Sequence, residues 1–290
     1  MSGTRNAFST VVIPVFNGEQ YLEESLLSVS NQICSYDFDV LVLNDGSTDR
    51  SVEIALDFAS RFTNFKVLDL PKLGLVGVLN RALEVVETKY ISRHDADDIM
   101  VENRIEIQIQ QILENPEINC VGGQIKAFSG SKQFEELKVN FYPLGNMEIK
   151  SQLMRKNVFA SPTVTYCRNC ALKLGGYRSL CDGAEDYDLW LRMAARGAMR
   201  NDSSILTLYR IHSEQVTQSK KLKVYRATFL AKIFSLVGSE LGLKKPKLTG
   251  LDCHLPSDFS RNQKLSLLYF LALDFLRFIR VTFTPNKVRV

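Results

Sequence analysis

The sequence has few of the features that mark an exported, membrane-spanning or nucleic-acid-binding chain. Its 290 residues contain no run of about 18 uncharged apolar residues, so we expect no membrane span. The polar start and the short apolar stretch at 11–16 do not predict a secretory signal, which favours a cytoplasmic location. The net charge of only +4 gives no indication of a nucleic-acid partner.

Cysteine is also too sparse to suggest a disulfide framework. The six cysteines are scattered, which favours reduced thiols. Cys167 and Cys170 form a single CxxC with no second pair, and we interpret it as incidental and not as a zinc or redox site.

A net positive charge is found only at the end of the chain. Residues 215–290 carry 14 Lys/Arg against 4 Asp/Glu, whereas residues 1–214 are net acidic. A basic tail predicts an anionic partner, with a phospholipid surface as the first candidate. Residues 265–283 are rich in Leu and Phe and place Asp274, Arg277 and Arg280 roughly on one helix face. This segment is expected to pack on the rest of the chain, to form a dimer contact, or to lie at the inner face of the cytoplasmic membrane.

Buried strands and amphipathic helices alternate through the first hundred residues. Apolar runs predict strands at 10–16, 39–44, 65–70 and 90–94, with helices at 19–32, 51–62 and 76–86 between them. This rhythm predicts an α/β fold with a mostly parallel sheet and right-handed crossovers. A helix at 102–114 and a strand at 120–128 follow, and the mixed region to about 209 is interpreted as the second half of the same unit.

Polar segments follow the predicted strands at the edge of the sheet where ligands bind in open parallel sheets. Asp45 could accept hydrogen bonds from a uracil ring or a ribose, or simply belong to a turn before a helix that Asp49 caps. The dinucleotide fingerprint GxGxxG is absent after the first strand, which argues against a nicotinamide or flavin dehydrogenase.

Three carboxylates within four residues close the fourth strand. Asp95, Asp97 and Asp98 repel one another unless one is neutral or a cation compensates them. In extended chain Asp95 and Asp97 face the same side, and their hard oxygens suit Mg²⁺ or Mn²⁺. The alternative is a solvated acidic turn, in which Asp98 caps the next helix.

A second acidic pair, Glu185 and Asp186, opens a predicted helix through residue 196. Acids are favourable at a helix N-terminus, but a carboxylate there could also take a proton from a substrate hydroxyl. Asp188 and Arg192 stand at i,i+4 and are expected to pair. Trp190 is assigned to the core in preference to an acceptor platform.

Seven short motifs in this order resemble glycosyltransferase family 2, the nucleotide-sugar-dependent transferases with the GT-A fold. The resemblance covers about residues 9–214. The motifs are Val11-Val-Ile-Pro-Val-Phe-Asn17, Leu43-Asn-Asp-Gly-Ser-Thr-Asp49, Arg93-His-Asp-Ala-Asp-Asp98, Ser161-Pro-Thr163, Gly175-Gly-Tyr-Arg178, Glu185-Asp-Tyr-Asp-Leu-Trp190 and Tyr209-Arg-Ile-His212.

The resemblance implies a nucleotide site, usually for UDP, and a divalent metal, Mn²⁺ or Mg²⁺. Asp97 matches the direct metal ligand, Asp95 lies near the ribose or a metal-bound water, and His212 helps to hold the metal or diphosphate. Asp186 matches the general base of inverting members, and His94 receives no role. The implied nucleotide contacts are Pro14, Phe16, Glu19, Asp45, Arg93, Asp95 and Ala96.

The implied activity is inverting transfer of a sugar from a nucleotide diphosphate to a hydroxyl of a glycan or lipid-linked acceptor. A hexosyl or N-acetylhexosaminyl transferase of bacterial surface polysaccharide or lipopolysaccharide synthesis is expected. The implied organisation is a catalytic domain at 1–214, with a nucleotide-binding half at 1–100 and an acceptor-binding half at 101–214, and a basic helical extension at 215–290. The loop at 129–144 is expected to act as a lid.

Two other functions remain open at this stage. A sugar-phosphate nucleotidyltransferase can share the sheet architecture, but it needs a Gly-rich loop with Arg and Lys after the first strand, where this chain has Pro14-Val-Phe-Asn-Gly18. A non-catalytic nucleotide-sugar-binding scaffold at the membrane is the other alternative, and the intact Asp97 and Asp186 count against it.

Overall fold

A computed structural model describes residues 7–129, 135–212 and 221–240. Helices lie on both faces of a nine-stranded sheet, in which the strand order is β3-β2-β1-β4-β8-β6-β9-β5 and β7 pairs with β6. The strands are β1 Ser9–Val15, β2 Phe38–Asp45, β3 Phe65–Leu70, β4 Tyr90–Arg93, β5 Ile99–Met100, β6 Ile118–Ser129, β7 Glu135–Asn140, β8 Thr165–Cys167 and β9 Ala198–Arg210. The helices are α1 Leu22–Ser30, α2 Ser51–Arg61, α3 Gly74–Val85, α4 Arg104–Glu114, α5 Asn146–Leu153, α6 Arg168–Lys173, α7 Glu185–Ala194 and α8 Lys221–Glu240.

The first four strands form the parallel half of the sheet that the alternating pattern predicts. β1 pairs with both β2 and β4 in parallel, and β3 extends the sheet beyond β2. Both faces of β1 are covered, because Val12 packs in one apolar cluster while Val11 and Ile13 pack in the other. This two-sided burial explains why the strand is a continuous apolar run and not an alternating one.

The second half of the sheet is mixed, which the sequence pattern did not predict. β8 runs antiparallel to both β4 and β6, while β9 runs parallel to β6. One sheet therefore continues through residues 9–210, and the division of the catalytic unit near residue 100 stays a prediction. The proposed boundary at 214 lies outside the described residues.

Helix α8 packs on α7, the helix that opens with the second acidic pair. Ala227 and Ala231 are buried in the same apolar cluster as Trp190, and Lys223 Nζ lies 2.6 Å from Asp182 Oδ2. The assignment of Trp190 to the core is confirmed, since its side chain is fully buried. The tail segment 265–283 lies outside the described residues, as do residues 130–134 of the predicted lid. Residues 135–140 of that lid are not a loop but strand β7, because they pair with β6.

No described helix combines the length and the apolar character needed to cross a lipid bilayer.

Candidate active site

The loops after β1 and β2 are joined by hydrogen bonds between their motif residues. Asn17 N–H donates to Ser47 Oγ at 2.9 Å, and Thr48 N–H donates to Asn17 Oδ1 at 2.9 Å. Asn17 has a φ of 50°, a left-handed conformation that asparagine tolerates better than most residues. The two motifs therefore build one rigid edge above the sheet.

Glu19 and Asp49 add further hydrogen bonds between the loops after β1 and β2. Glu19 Oε2 accepts from Arg50 N–H at 3.0 Å, and Glu19 N–H donates to Asp49 Oδ2 at 3.0 Å. Asp49 also accepts from Ser51 N–H at 3.0 Å, but Arg50 occupies the capping position of α2, so the expectation that Asp49 is the cap is wrong. The contacts of Glu19 are thus with the second loop, and its expected place in the nucleotide site stays a prediction.

Asp45 ends β2 and holds the start of α3. Its buried carboxylate accepts from Leu73 N–H at 2.6 Å and Gly74 N–H at 3.1 Å, and Lys72 Nζ lies 3.3 Å away. The same ammonium lies over the ring of Phe16, which directly follows β1 and is 49% exposed. Pro14, two residues earlier, is half-buried. Lys72 was not anticipated, because nothing in its local sequence points to Asp45.

The three aspartates after β4 lie on a turn and not on extended chain. Asp98 N–H donates to Asp95 O at 3.2 Å, so the expectation that strand alternation aligns Asp95 with Asp97 is wrong. Arg93 contacts Asp95 Oδ1 at 3.0 Å, while His212 Nε2 lies 2.8 Å from Asp97 Oδ2. Ala96 between them packs against the apolar cluster under β1. The motifs at 93–98 and 209–212 therefore meet, although 115 residues separate Asp97 from His212.

Asp98 is not a helix cap, contrary to the sequence-based expectation. It is fully buried, Asn103 occupies the capping position of α4, and Asp98 Oδ1 accepts from Arg210 N–H at 2.9 Å. Burial, together with the charges of Asp97 and Asp95, raises the pKa of Asp98 well above its usual range. Asp98 thus joins the turn to the end of β9.

Arg210 is a site residue that sequence reasoning missed. Its Nε donates to Asp97 O at 2.8 Å and its NH2 group lies 2.6 Å from Glu24 Oε2. The guanidinium carbon lies 4.5 Å from the ring centroids of both Tyr21 and Phe128. Arg210 therefore holds the backbone of the turn that carries Asp95, Asp97 and Asp98.

His94 is buried beneath the turn. Its Nε2 lies 3.1 Å from Ser25 Oγ, and burial together with the charge of Arg104 lowers the pKa of His94 well below its usual range. Arg104 is likewise buried and donates to Arg93 O at 2.6 Å and to Pro162 O at 2.5 Å. These contacts tie β4 to the short helical turn Ser161–Thr163.

Asp186 lies in the first turn of α7, as predicted, and is half-buried. Asn157 Nδ2 donates to its Oδ2 at 3.0 Å, and Tyr187 N–H donates to its Oδ1 at 2.6 Å. Burial raises the pKa of Asp186, although these hydrogen bonds, the Ser161 hydroxyl and the charge of Arg93 oppose the rise. A carboxylate that binds protons more readily than usual suits a general base.

Both groups of acids lie at one edge of the sheet. β8 runs antiparallel to β4 with Ser92 opposite Thr165, so the turn that precedes β8 lies beside the end of β4. Arg93 N–H donates to Val164 O at 2.7 Å and closes this junction. Asp186 adjoins Ser161 of that turn, and the charge of Arg93 acts on Asp186 while its side chain contacts Asp95. Arg93 thus contacts one acidic group directly and acts on the other through its charge.

The described residues contain no group of three His, Cys, Asp or Glu side chains arranged to hold a metal ion. Asp97 and His212 are nevertheless in contact, and burial and the nearby charge of Asp95 raise the pKa of Asp97. A cation would relieve that repulsion. Since Mg²⁺-type ions use one or two carboxylates and take further oxygens from substrate phosphates, these residues fit a metal that the nucleotide completes.

The fold and the site define a nucleotide-sugar transferase architecture, and comparison with known proteins identifies the family. The family model of glycosyl transferase family 2 matches residues 10–174, and the chain belongs to this family. The O-antigen biosynthesis glycosyltransferase WbnJ of Escherichia coli is 32% identical over 223 residues, which is 74% of this chain and 84% of WbnJ. The expected family, the GT-A fold and the assignment as a glycosyltransferase enzyme are confirmed.

Solved structures with the same fold include two determined with nucleotide sugars. S. aureus TarS 1-349 in complex with UDP-GlcNAc has a TM-score of 0.66 at 19% identity, over 97% of this chain and 76% of that chain. The mannosyltransferase PcManGT from Pyrobaculum calidifontis, in complex with GDP-Man and Mn²⁺, has a TM-score of 0.59 at 13% identity, over 98% of this chain and 77% of that one. At these identities the likeness establishes the fold alone.

Proposed function

We propose that the protein is an inverting transferase that moves a sugar from a nucleotide diphosphate, UDP in the first instance, to a hydroxyl of a glycan or lipid-linked acceptor. The observation that carries the proposal is that Asp186 lies beside the same sheet edge as Asp95 and Asp97, where Arg93 contacts Asp95 and its charge acts on Asp186. The UDP-GlcNAc complex of TarS supports a UDP-sugar donor.

The nucleotide would lie on the edge formed by the joined loops after β1 and β2. Phe16 offers an exposed ring for the base, and Lys72 beside it offers a positive charge. Asp97 with His212 would hold a divalent cation, and Asp95 would face the ribose or a water on that cation. When bound, the cation would neutralise charge on the diphosphate and help it to depart. The Mn²⁺ in the PcManGT structure supports this assignment.

Asp186 would remove the proton from the acceptor hydroxyl. The acceptor oxygen then forms a bond to the anomeric carbon from the face opposite the diphosphate, the bond to the diphosphate oxygen breaks, and the configuration inverts. The transition state has oxocarbenium character, as in glycoside hydrolysis. Asn157 and Tyr187 N–H hold both oxygens of Asp186, so the base is oriented before substrate arrives.

The product would belong to a bacterial surface polysaccharide or lipopolysaccharide. The similarity to WbnJ, a transferase of O-antigen biosynthesis, supports this assignment. Contact with an anionic membrane through the basic tail stays a prediction, because residues 241–290 lie outside the described residues. The nucleotidyltransferase alternative loses further support, since the backbone N–H groups of Asn17 and Gly18 in the loop after β1 already donate to side chains of residues 47–51.

The test is UDP release from a panel of UDP-sugars, with and without Mn²⁺, by the wild type and three variants. Asp97→Ala should abolish metal-dependent release, whereas Asp186→Asn should keep donor binding in a thermal-shift assay and lose transfer. Asp57→Asn, on the exposed face of α2, is the matched control and should behave as the wild type. Unchanged turnover in Asp186→Asn would remove the base assignment, and unchanged release in Asp97→Ala would remove the metal assignment.

A further inference from the structure

The two most exposed large apolar side chains among the described residues lie in one short segment. Phe141 is 81% exposed and Met147 is 80% exposed, and Leu144 between them is 44% exposed. This segment, residues 141–147, connects β7 to the start of α5 and contains no charged residue. We call it the ledge. Apolar side chains grouped on an exposed surface mark binding sites more often than scattered ones do.

The ledge is held from beneath by two fully buried amides. Tyr142 N–H donates to Gln124 Oε1 at 2.5 Å, and Asn201 Nδ2 donates to Pro143 O at 2.8 Å. Asn201 N–H also donates to Leu144 O at 3.2 Å. Gln124 and Asn201 are each 1% exposed. The backbone of the ledge is therefore fixed while its apolar side chains face water, which is the arrangement of a preorganised binding surface.

Asn201 also connects the ledge to the surroundings of Asp186, the proposed general base. Asn201 Nδ2 also donates to Val158 O at 3.1 Å, next to Asn157, whose own amide holds Asp186. Burial and the charge of Asp186 both raise the pKa of Tyr142, so the phenol lies within electrostatic reach of that carboxylate. Asn201 and Asn157 thus link the backbone of the ledge to the residue that would receive the acceptor proton.

We propose that the ledge is the acceptor subsite and that it takes the apolar face of a neutral pyranose ring. The inference rests on the proposed transfer to a glycan hydroxyl and names the part of the acceptor that is recognised. Ring and thioether surfaces pack against the C–H face of a sugar, while a phosphate or carboxylate would require a cationic partner that the ledge lacks. Tyr142, on which the charge of Asp186 acts, would orient the reacting sugar.

The experiment measures binding of uncharged methyl glycosides to the full-length chain by saturation-transfer NMR in the presence of UDP and Mn²⁺. The probes are the methyl glycosides of glucose, galactose, mannose and N-acetylglucosamine. We expect at least one to bind saturably to the wild type. Phe141→Ser combined with Met147→Ser should weaken it about tenfold, which corresponds to about 1.4 kcal/mol. Ile33→Ser is the control, since Ile33 is an exposed apolar residue, 66% accessible, in the loop after α1.

Three results would overturn the assignment. Saturable binding by none of the four glycosides, or a change of less than twofold in the double variant, would show that the ledge is not the subsite. A change in molar mass by light scattering in the double variant would assign the ledge to a second copy of the chain. Metal-dependent hydrolysis of UDP-sugars is followed in the same samples. Its absence in the wild type would refute the proposed function separately, while the NMR result still decides whether the ledge binds sugar.

Discussion

Replacing Asp188 by asparagine should destabilise the protein far more than an ordinary ion-pair change. Asp188 is 1% exposed and contacts two arginines, with Arg192 NH2 2.6 Å from its Oδ2 and Arg178 NH1 3.3 Å from its Oδ1. The predicted i,i+4 pair is thus present, but it lies inside the protein and has a third member. Arg192 also donates to Leu174 O and Gly176 O, so it cannot swing out to water without breaking the loop before α7.

The size of the effect follows from burial. Removing one partner of a buried ion pair leaves uncompensated charge and costs about 3–5 kcal/mol. Since asparagine keeps one carbonyl oxygen for hydrogen bonding, we expect a loss of unfolding free energy at the lower end of this range, about 3 kcal/mol. For a chain of this size each kcal/mol lowers Tm by about 2–4 °C, so the loss should be about 6–12 °C.

The same spacing on the surface provides a matched control. Asp57 and Arg61 in α2 also stand at i,i+4, with a separation of 2.7 Å, but their side chains are 62% and 49% exposed. Asp57→Asn should cost about 0.3–0.5 kcal/mol, because water screens the pair. Thermal unfolding followed by circular dichroism compares the two variants. Equal losses of Tm would refute the argument that burial, and not helix spacing, sets the strength of the Asp188 contact.

Three further predictions concern Glu185, Gly122 and Cys34. Burial and the charge of Asp186 raise the pKa of Glu185 from 4.5 to about 7. The folded state therefore binds this proton more tightly than the unfolded state does. The resulting gain in unfolding free energy is complete below pH 4.5 and is lost as the pH rises towards 7. The Tm of the wild type should therefore fall relative to Glu185→Gln over that range, and parallel curves would contradict it. Gly122→Ala would push a methyl group into Asn201 and should cost about 1–3 kcal/mol by denaturant unfolding, whereas Gly145→Ala meets open space and serves as control. Burial raises the pKa of Cys34 to about 11, so peptide mass spectrometry should show slower alkylation at pH 8 than for free cysteine.

The parallel half of the fold was predictable because burial on both faces makes each strand an unbroken apolar run. The strand predicted at 65–70 is Phe65–Leu70, and the helix predicted at 51–62 is Ser51–Arg61. The first helix starts three residues later than predicted, at Leu22, because Gly18 and Glu19 are used to join the loops. β8 could not be predicted, since a three-residue strand carries too little pattern and its partner in β4 is more than seventy residues away.

The acidic residues of the site were predictable, but the basic and amide side chains that hold them were not. Asp97 and Asp186 stand in clusters whose charge alone attracts notice. Arg210 lies in the 209–212 motif but received no role, and Asn201 lies in no motif. Their partners are distant in sequence: Arg210 N–H donates to Asp98 across 112 residues. Such pairs can be identified only from the fold, in which the end of β9 lies beside the end of β4.

Contacts with distant residues also distinguish the three aspartates that follow β4. Each has its own contact with the protein, Asp95 with Arg93, Asp97 with His212, and Asp98 with the backbone of Arg210. Because Asp98 is buried and anchored, it belongs to the scaffold, and only Asp95 and Asp97, each about one third exposed, remain accessible to a ligand. The acidic motif therefore divides into one buried structural residue and two residues that a ligand could reach, a division that follows from burial and cannot be read from the residue types alone.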